Sequence, residues 1–311
     1  FKQPITGMYQ SMLSGPITHL RNTFGNTYSL LERPFSTYLQ GVVGGDKALR
    51  ASAVSGIHGM ATGIQDAWQV ALTTLRTGDS VNFNHKFVVE DFETRALLEQ
   101  INLAARTDSE KIAAGFLESS YHFQNNPWMS WPSRSLMAAD DFFKSMSARY
   151  RMNSKAMYEA ISHSADDADV DTLFNKYIEN YSKGIDPQTG RIVDKDLLDY
   201  AERITFQQDP GSFMNTFANM LDQSPGGIGK LFIPFVRTPA NLFGYGLEHV
   251  PFIHKAIRSL GDTLEAAEKN GDYLLAAEIR GRQATGAMLT GSMLTMAIMT
   301  DVTGNLPFDP K

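Results

Sequence analysis

The chain has 311 residues, a net charge of −6 and no cysteine. The length suffices for one large or two modest domains, and the charge argues against a protein that holds duplex DNA on a basic surface. The lack of cysteine excludes disulfide scaffolds, thiolate zinc sites and cysteine nucleophiles in this segment. Because the sequence starts at Phe1 rather than Met, we expect it to be part of a longer chain.

Helical hydrophobic spacing dominates the sequence from end to end. In chain order it predicts helices over 16–40 (kinked near Pro34), 47–77, 91–120, 136–161, 168–182, 194–207, 211–222, 239–248, 252–269 and 271–300. Ser133 is the expected N-cap of the fourth of these. Only 81–90 and 190–193 have extended character. We therefore predict a mainly α fold, a multi-helix assembly with at most a short hairpin.

Turn-forming residues at Asn126-Pro127 and from Ser224 to Gly229 divide the chain into three regions. Residues 1–125 form an N-terminal helical region with a short extended segment near 81–90. Residues 126–223 form a central helical region. Residues 224–311 form a C-terminal helical region that includes a small-residue apolar helix.

Two of the predicted helices carry almost no charge. Asp66 is the only charged residue within 51–75, and 284–300 contains none. Gly59 and Gly63, and likewise Ala287 and Gly291, have the small-x-x-x-small spacing that lets helices approach closely. These helices are either part of a buried core, or they meet lipid or a neighbouring subunit.

No arrangement of a known catalytic or cofactor site is visible. The histidines lack metal-ligand spacing, and the glycine-rich 226–230 lacks the P-loop pattern. We therefore expect no metal, no cofactor and no enzymatic activity in this segment. One enzyme hypothesis remains, a hydrolase that uses Asp140 or Asp141; the spacing around Phe143 places Asp140 beside a buried face and Asp141 away from it.

The stretch LFIPFVRTPANLFGYG, 231–246, places Arg237 between Pro234 and Pro239 in an apolar neighbourhood. Thr238 and Pro239 have the types preferred at the N-cap and first position of a helix, so the segment is expected to form a stiff bend. Arg237 then either clamps carbonyls at a neighbouring helix end or forms an ion pair between subunits.

Four blocks of the sequence together resemble one family. They are LSGPITHLRNTFGN (13–26), AADDFFKSMSARYRMNSKAMYEA (138–160), IPFVRTPANLF (233–243) and ATGAMLTGSMLTMAIMTDVTGNLPFDP (284–310). In this order they are similar to motifs of the long internal virion, or ejection, proteins of tailed bacteriophages. The resemblance spans residues 13 to 310.

The resemblance implies a virion protein that is expelled with the genome and oligomerises into a ring or tunnel in the host cell envelope. Its implied partners are copies of itself, other phage ejection proteins, the host inner or outer membrane, and phage DNA that passes without sequence-specific binding. The alternative is a capsid-internal or portal-associated structural protein that contacts no membrane. Any enzymatic domain would lie elsewhere on the parent chain.

The residues expected to matter are structural. Phe142, Phe143 and Arg149 form a packing and pairing block. The rigid corner comprises Pro234, Phe235, Arg237, Thr238, Pro239 and Asn241. Gly59, Gly63, Ala287 and Gly291 are expected at helix contacts or at a membrane.

Overall fold

The structure is a computed structural model that describes residues 16–82, 131–207, 244–250 and 258–299, with isolated positions between 99 and 115. Within these residues 83% are helical and no strand forms. The described part has one antiparallel bridge, between Ile185 and Ile192, which is the full extent of the extended character expected at 190–193. The predicted mainly α fold is confirmed.

The long helices follow the predicted ones closely. They are α1 Pro16–Val43, α2 Lys47–Thr77, α3 Trp131–His163, α4 Val170–Ser182, α5 Lys195–Ile204, α6 Arg258–Lys269 and α7 Tyr273–Met299. A 3-10 turn, Asp167–Asp169, precedes α4, and residues 244–248 are helical. The helix predicted over 211–222 and most of that over 91–120 lie outside the described residues.

Aspartates begin several of these helices by accepting hydrogen bonds from the first free backbone amides. Asp46 Oδ1 accepts from Ala48 N at 2.8 Å, and Asp194 Oδ1 accepts from Leu197 N at 3.0 Å. Ser133 was wrongly predicted as such a cap. Because proline is tolerated in the first helical turn, α3 starts at Trp131 and passes through Pro132 before it reaches Ser133.

The sequence predicted a kink near Pro34 in α1 and an extended segment near 81–90. α1 runs without interruption through Pro34, although proline has no N–H to donate within a helix. Val81 and Asn82 lie in a turn rather than in an extended segment, and 83–90 lie outside the described residues.

The chain divides into two compact units. Unit 1 comprises Phe1–Leu30, His58–Met152 and Ile178–Thr205. Unit 2 comprises Leu31–Ile57, Asn153–Tyr177 and Phe206–Lys311. Each unit therefore combines several chain segments. The division into the three consecutive regions 1–125, 126–223 and 224–311 stays a prediction.

Unit 1 has two apolar clusters. The first centres on Phe143, Met146 and Tyr150 of α3, which pack with residues of α1, α2 and α5; Tyr150 and Tyr200 stack with ring centroids 6.2 Å apart. The second joins α3 to the bridge and to α5. Its buried members are Ala148, Met152, Ile185, Ile192, Leu197 and Ala201.

Unit 2 has a smaller apolar cluster, formed by Leu49, Leu274 and Ala277 with Tyr158 packed against it. The helices of this unit also approach through glycine. A β-carbon at Gly281 of α7 would lie 2.0 Å from the carbonyl oxygen of Ser36 on α1. Only glycine fits at such a distance, so the two backbones meet at this point.

Candidate assembly surface

Between Tyr28 and Tyr38 the outer side of α1 is apolar and its inner side is mostly polar. From Tyr28 to Tyr38 every exposed position carries a large apolar side chain, at Tyr28, Leu31, Phe35 and Tyr38. The buried positions between them include Glu32, Arg33, Ser36 and Thr37. A surface helix of a globular protein normally has the opposite arrangement, with its apolar side against the core.

Six of the eight exposed large apolar residues described for α1 follow a heptad spacing, Leu20 and Val43 being the two that do not. Phe24, Tyr28, Leu31, Phe35, Tyr38 and Val42 alternate steps of four and three residues along this one continuous helix. We call these residues the α1 stripe. Phe24 is 76% exposed and Leu31 is 61% exposed. This is the spacing of positions a and d at which helices of a coiled coil meet.

α2 has the same reversal in weaker form. Val54, Ile57, Ile64 and Trp68 are exposed, while small and polar residues of the same helix are buried. The buried set includes Ser52, Ser55, Gly59, Gly63 and Thr74.

The inner side of α1 in unit 2 contributes to a buried ion cluster. Arg282 of α7 donates from Nε to Glu32 Oε2 at 3.0 Å and also pairs with Glu248. Arg33 donates from NH1 to Glu278 Oε2 at 3.0 Å. Arg282 is fully buried. Ionised groups removed from water in this way are retained only when they are paired.

Tyr245 closes this cluster from one side. Its hydroxyl donates to Glu32 Oε2 at 2.7 Å, and the Arg282 guanidinium carbon lies 4.9 Å from its ring centroid. Burial and the neighbouring Glu32 carboxylate raise the pKa of Tyr245. The phenol therefore stays protonated and remains a donor to Glu32.

The pKa of Glu32 is held below its ordinary value. Burial alone raises it, but Arg282 and the hydrogen bonds donated by Ser36 and Tyr245 outweigh that effect. Glu32 is thus ionised at neutral pH. Its negative charge is paired with Arg282 within unit 2, so the inner side of α1 needs no partner from another molecule.

Unit 1 contains a second buried polar cluster, around Asp141. Both of its carboxylate oxygens are occupied: Thr74 and Ser80 donate side-chain hydroxyls at 2.5 and 2.8 Å. The backbone amides of Val81 and Asn82 donate at 2.9 and 3.3 Å. Asp141 therefore fastens the turn after α2 to α3. The expectation that Asp141 points away from the buried face was wrong, because these donors draw it inward.

Asp140 lies beside this cluster but has different partners. Its Oδ1 accepts from the side-chain amides of Asn22 at 2.8 Å and Asn26 at 3.3 Å. Burial, with a smaller contribution from the Asp141 charge, raises the pKa of Asp140 to about 6, although Asn22 and Lys144 oppose the shift. Burial likewise lowers the pKa of Lys144.

The residues predicted to form the packing and pairing block lie in unit 1. Phe143 is in the first apolar cluster, and Phe142 packs edge-on against Phe143 and Trp68 with centroids 5.5 and 6.2 Å apart. Arg149 NH2 donates to Asp66 Oδ2 at 2.7 Å.

The predicted small-residue positions divide between buried and exposed. Gly59 and Gly63 are buried, and a β-carbon at Gly63 would lie 2.7 Å from the Arg149 side chain. Ala287 and Gly291 of α7 are exposed, and nothing lies within 4 Å of a β-carbon built at Gly291. The rigid corner at 234–241 lies outside the described residues.

Neither the α1 stripe nor the ion cluster was predicted from the sequence. The stripe had a usable signal, since its 4-3 spacing extends beyond one helical turn. The cluster had none, because Glu32 and Arg282 are 250 positions apart.

The described residues contain neither a helix able to cross a membrane nor a cluster able to hold a metal ion. No described helix is both long and apolar enough to cross a membrane. Nor do the described side chains contain a group of three or more histidines, aspartates and glutamates placed to hold a metal ion. Comparison with known proteins found no matching family model, curated protein or solved structure.

Proposed function

We propose that this chain is a self-assembling helical subunit of a tailed-bacteriophage virion that is ejected with the genome and forms a ring or tunnel in the host envelope. The observation that supports it best is the reversed polarity of α1, with charges inside and aromatic rings outside. The four sequence blocks that resemble phage ejection proteins indicate the biological setting.

The apolar outer side of α1 is costly to leave in contact with water. Exposed apolar area costs about 25 cal/mol for each Å² that water covers, and contiguous apolar patches on soluble proteins usually mark interaction sites. The charged residues on the inner side of α1 are already paired within unit 2, so they need no partner from a second molecule. A partner that covers the α1 stripe removes this cost.

The experiment measures the mass of the full chain by size-exclusion chromatography with light scattering over a concentration series. We expect an oligomer, and rings or tubes in negative-stain images. The variant Leu31→Glu places a charge in the middle of the α1 stripe and should weaken association at least tenfold. Its matched control is Thr23→Glu, at an exposed polar position on the same helix, which should assemble as the wild type does.

Circular dichroism separates loss of assembly from loss of folding, since Leu31→Glu should keep its helical signal. A wild-type chain that stays monomeric at every concentration contradicts the proposal. Imaging with vesicles of phosphatidylethanolamine and phosphatidylglycerol tests the setting. Oligomers that attach to vesicles support an envelope tunnel, whereas oligomers that ignore them indicate a capsid-internal structural protein.

A further inference from the structure

We infer that the α1 stripe packs against the α1 stripe of a second copy in antiparallel orientation, around a two-fold axis near Arg33. The inference rests on the proposed self-assembly for the identity of the occupant and adds one contact surface and its geometry. Because a two-fold contact closes with two copies, a ring or tube would join such pairs through a second surface. It is carried by the exposure, spacing and order of side-chain sizes along α1.

The exposed area suits a symmetric pair. Phe24, Tyr28, Phe35 and Tyr38 are 76%, 51%, 55% and 44% exposed. With about 200 Å² for a fully exposed aromatic side chain, these rings expose roughly 450 Å² per chain. Two copies would bury about 900 Å² of aromatic surface before Leu31 and Val42 are added, close to the ~1,000 Å² that a specific interface needs.

The spacing favours a helix over a lipid surface as the partner. A heptad seam is narrow and fits the groove of one facing helix, whereas a helix that lies on a membrane has a broad apolar arc bordered by Lys and Arg. α1 contains only Arg21 and Arg33 as basic residues besides His19, and Arg33 is buried in its pair with Glu278. α1 therefore lacks the flanking basic residues through which a helix on a membrane surface binds anionic lipid.

The order of side-chain sizes favours the antiparallel orientation. In an antiparallel pair centred near Arg33, Phe24 faces Val42, Leu31 faces Phe35, and Tyr28 faces Tyr38. Large side chains then oppose smaller ones in two of these three kinds of layer, which gives layers of similar volume. A parallel pair instead places each aromatic residue against its own copy. The antiparallel pair also opposes the two helix dipoles favourably.

Cysteine cross-linking tests the orientation cleanly, because the chain has no cysteine of its own. Phe24→Cys and Val42→Cys are prepared separately as full chains, and each is oxidised alone and in an equal mixture. In the antiparallel pair, position 24 lies about 27 Å along the axis from its own copy, given a rise of about 1.5 Å per residue. That is far beyond the reach of a disulfide.

We therefore expect little disulfide dimer from either variant alone and a strong Phe24→Cys–Val42→Cys product from the mixture, at least fivefold above the single variants. Thr23→Cys mixed with Val42→Cys is the matched control, since position 23 is exposed but lies off the stripe. It should cross-link several-fold less. The variants are also examined by light scattering, which confirms that each still assembles.

Each other outcome overturns the inference. Strong cross-linking of each variant alone means a parallel pair. An oligomer without stripe cross-links means that the contact surface lies elsewhere, and this result leaves the proposed assembly function intact. Cross-links that are lost only with vesicles mean that lipid covers the stripe. A monomer whose stripe cysteines are protected from maleimide means that the chain covers the stripe itself, and this result overturns the assembly proposal as well.

Discussion

Two carboxylates, Glu32 in unit 2 and Asp140 in unit 1, have pKa values displaced in opposite directions. The pKa of Glu32 lies below its ordinary value, whereas that of Asp140 rises to about 6. Burial raises both. The difference comes from their partners: Glu32 contacts the Arg282 guanidinium, while Asp140 is held by the neutral amides of Asn22 and Asn26.

The ion cluster of unit 2 and the polar cluster of unit 1 keep charged groups inside by different means. Unit 2 opposes full charges, with Arg33 and Arg282 among Glu32, Glu248 and Glu278. Around Asp140 and Asp141, unit 1 instead places mostly neutral donors, with Lys144 as a buried cation beside them. We therefore expect unit 2 to depend on individual charges and unit 1 to depend on individual hydrogen bonds.

The largest effect is expected from Arg282→Met, which removes the cation shared by Glu32 and Glu248. Carboxylates left buried without their partner should lower the free energy of unfolding by about 3–5 kcal/mol. Urea titration followed by circular dichroism measures the loss. The matched control is Arg280→Met, two positions along the same helix, where the pair with Glu268 is exposed and contributes about 1 kcal/mol or less. Equal losses from the two variants would contradict the role of the ion cluster.

A smaller effect is expected from Asp141→Asn. The side-chain NH₂ group of the asparagine then faces the backbone N–H of Val81 or Asn82. Because both groups are donors, at least one buried donor loses its acceptor. The expected loss is about 2–3 kcal/mol, with faster hydrogen exchange in the turn at 78–82. Asp79→Asn, at an exposed position of the same turn, is the control and should leave both quantities unchanged. Unchanged exchange in Asp141→Asn would show that Asp141 does not fasten the turn.

The sequence predicted the helices well because helix formation has local signals. The bounds predicted for α2, 47–77, are those found, since Gly45 and Gly78 adopt positive φ at its two ends. The apolar spacing of α3 likewise placed Phe143 on a buried face correctly. Such signals lie within a few residues of the element that they define.

Which side of a helix is exposed could not be predicted in the same way. Sequence periodicity distinguishes the two sides of a helix but does not show which of them is buried. For α1 the usual assumption fails, since Glu32 and Arg33 turn inward to partners more than 200 positions away. For α3 it fails at Asp141, whose donors come from the turn after α2. In both helices a distant partner decides the orientation, and no local pattern reveals that partner.

The smallest effect, and the most specific, is expected from the pH dependence of Asp140. Its pKa is raised from an ordinary 3.8 to about 6, so the folded chain binds this proton more tightly than the unfolded chain does. The stabilisation is complete below about pH 4 and is lost as the pH rises through 6. The upper limit is about 3 kcal/mol at 1.36 kcal/mol per pKa unit, and partial exposure of Asp140 reduces it.

Asp140→Asn should remove this slope. Asn22 and Asn26 both donate to Oδ1, and the asparagine carbonyl keeps those bonds without the charge. Above pH 6 the variant should be about 1 kcal/mol more stable than the wild type, because it has no buried carboxyl to ionise. The gain stays below the 1.36 kcal/mol per pKa unit limit because Lys144 loses one of the carboxylates near it. Urea titrations from pH 4 to 7 measure the difference, with Asp66→Asn as the matched control at an exposed carboxylate. If Asp140→Asn kept the wild-type slope, the ionisation of buried Asp140 would not be its cause, and the contrast with Glu32 would have to lie in another group.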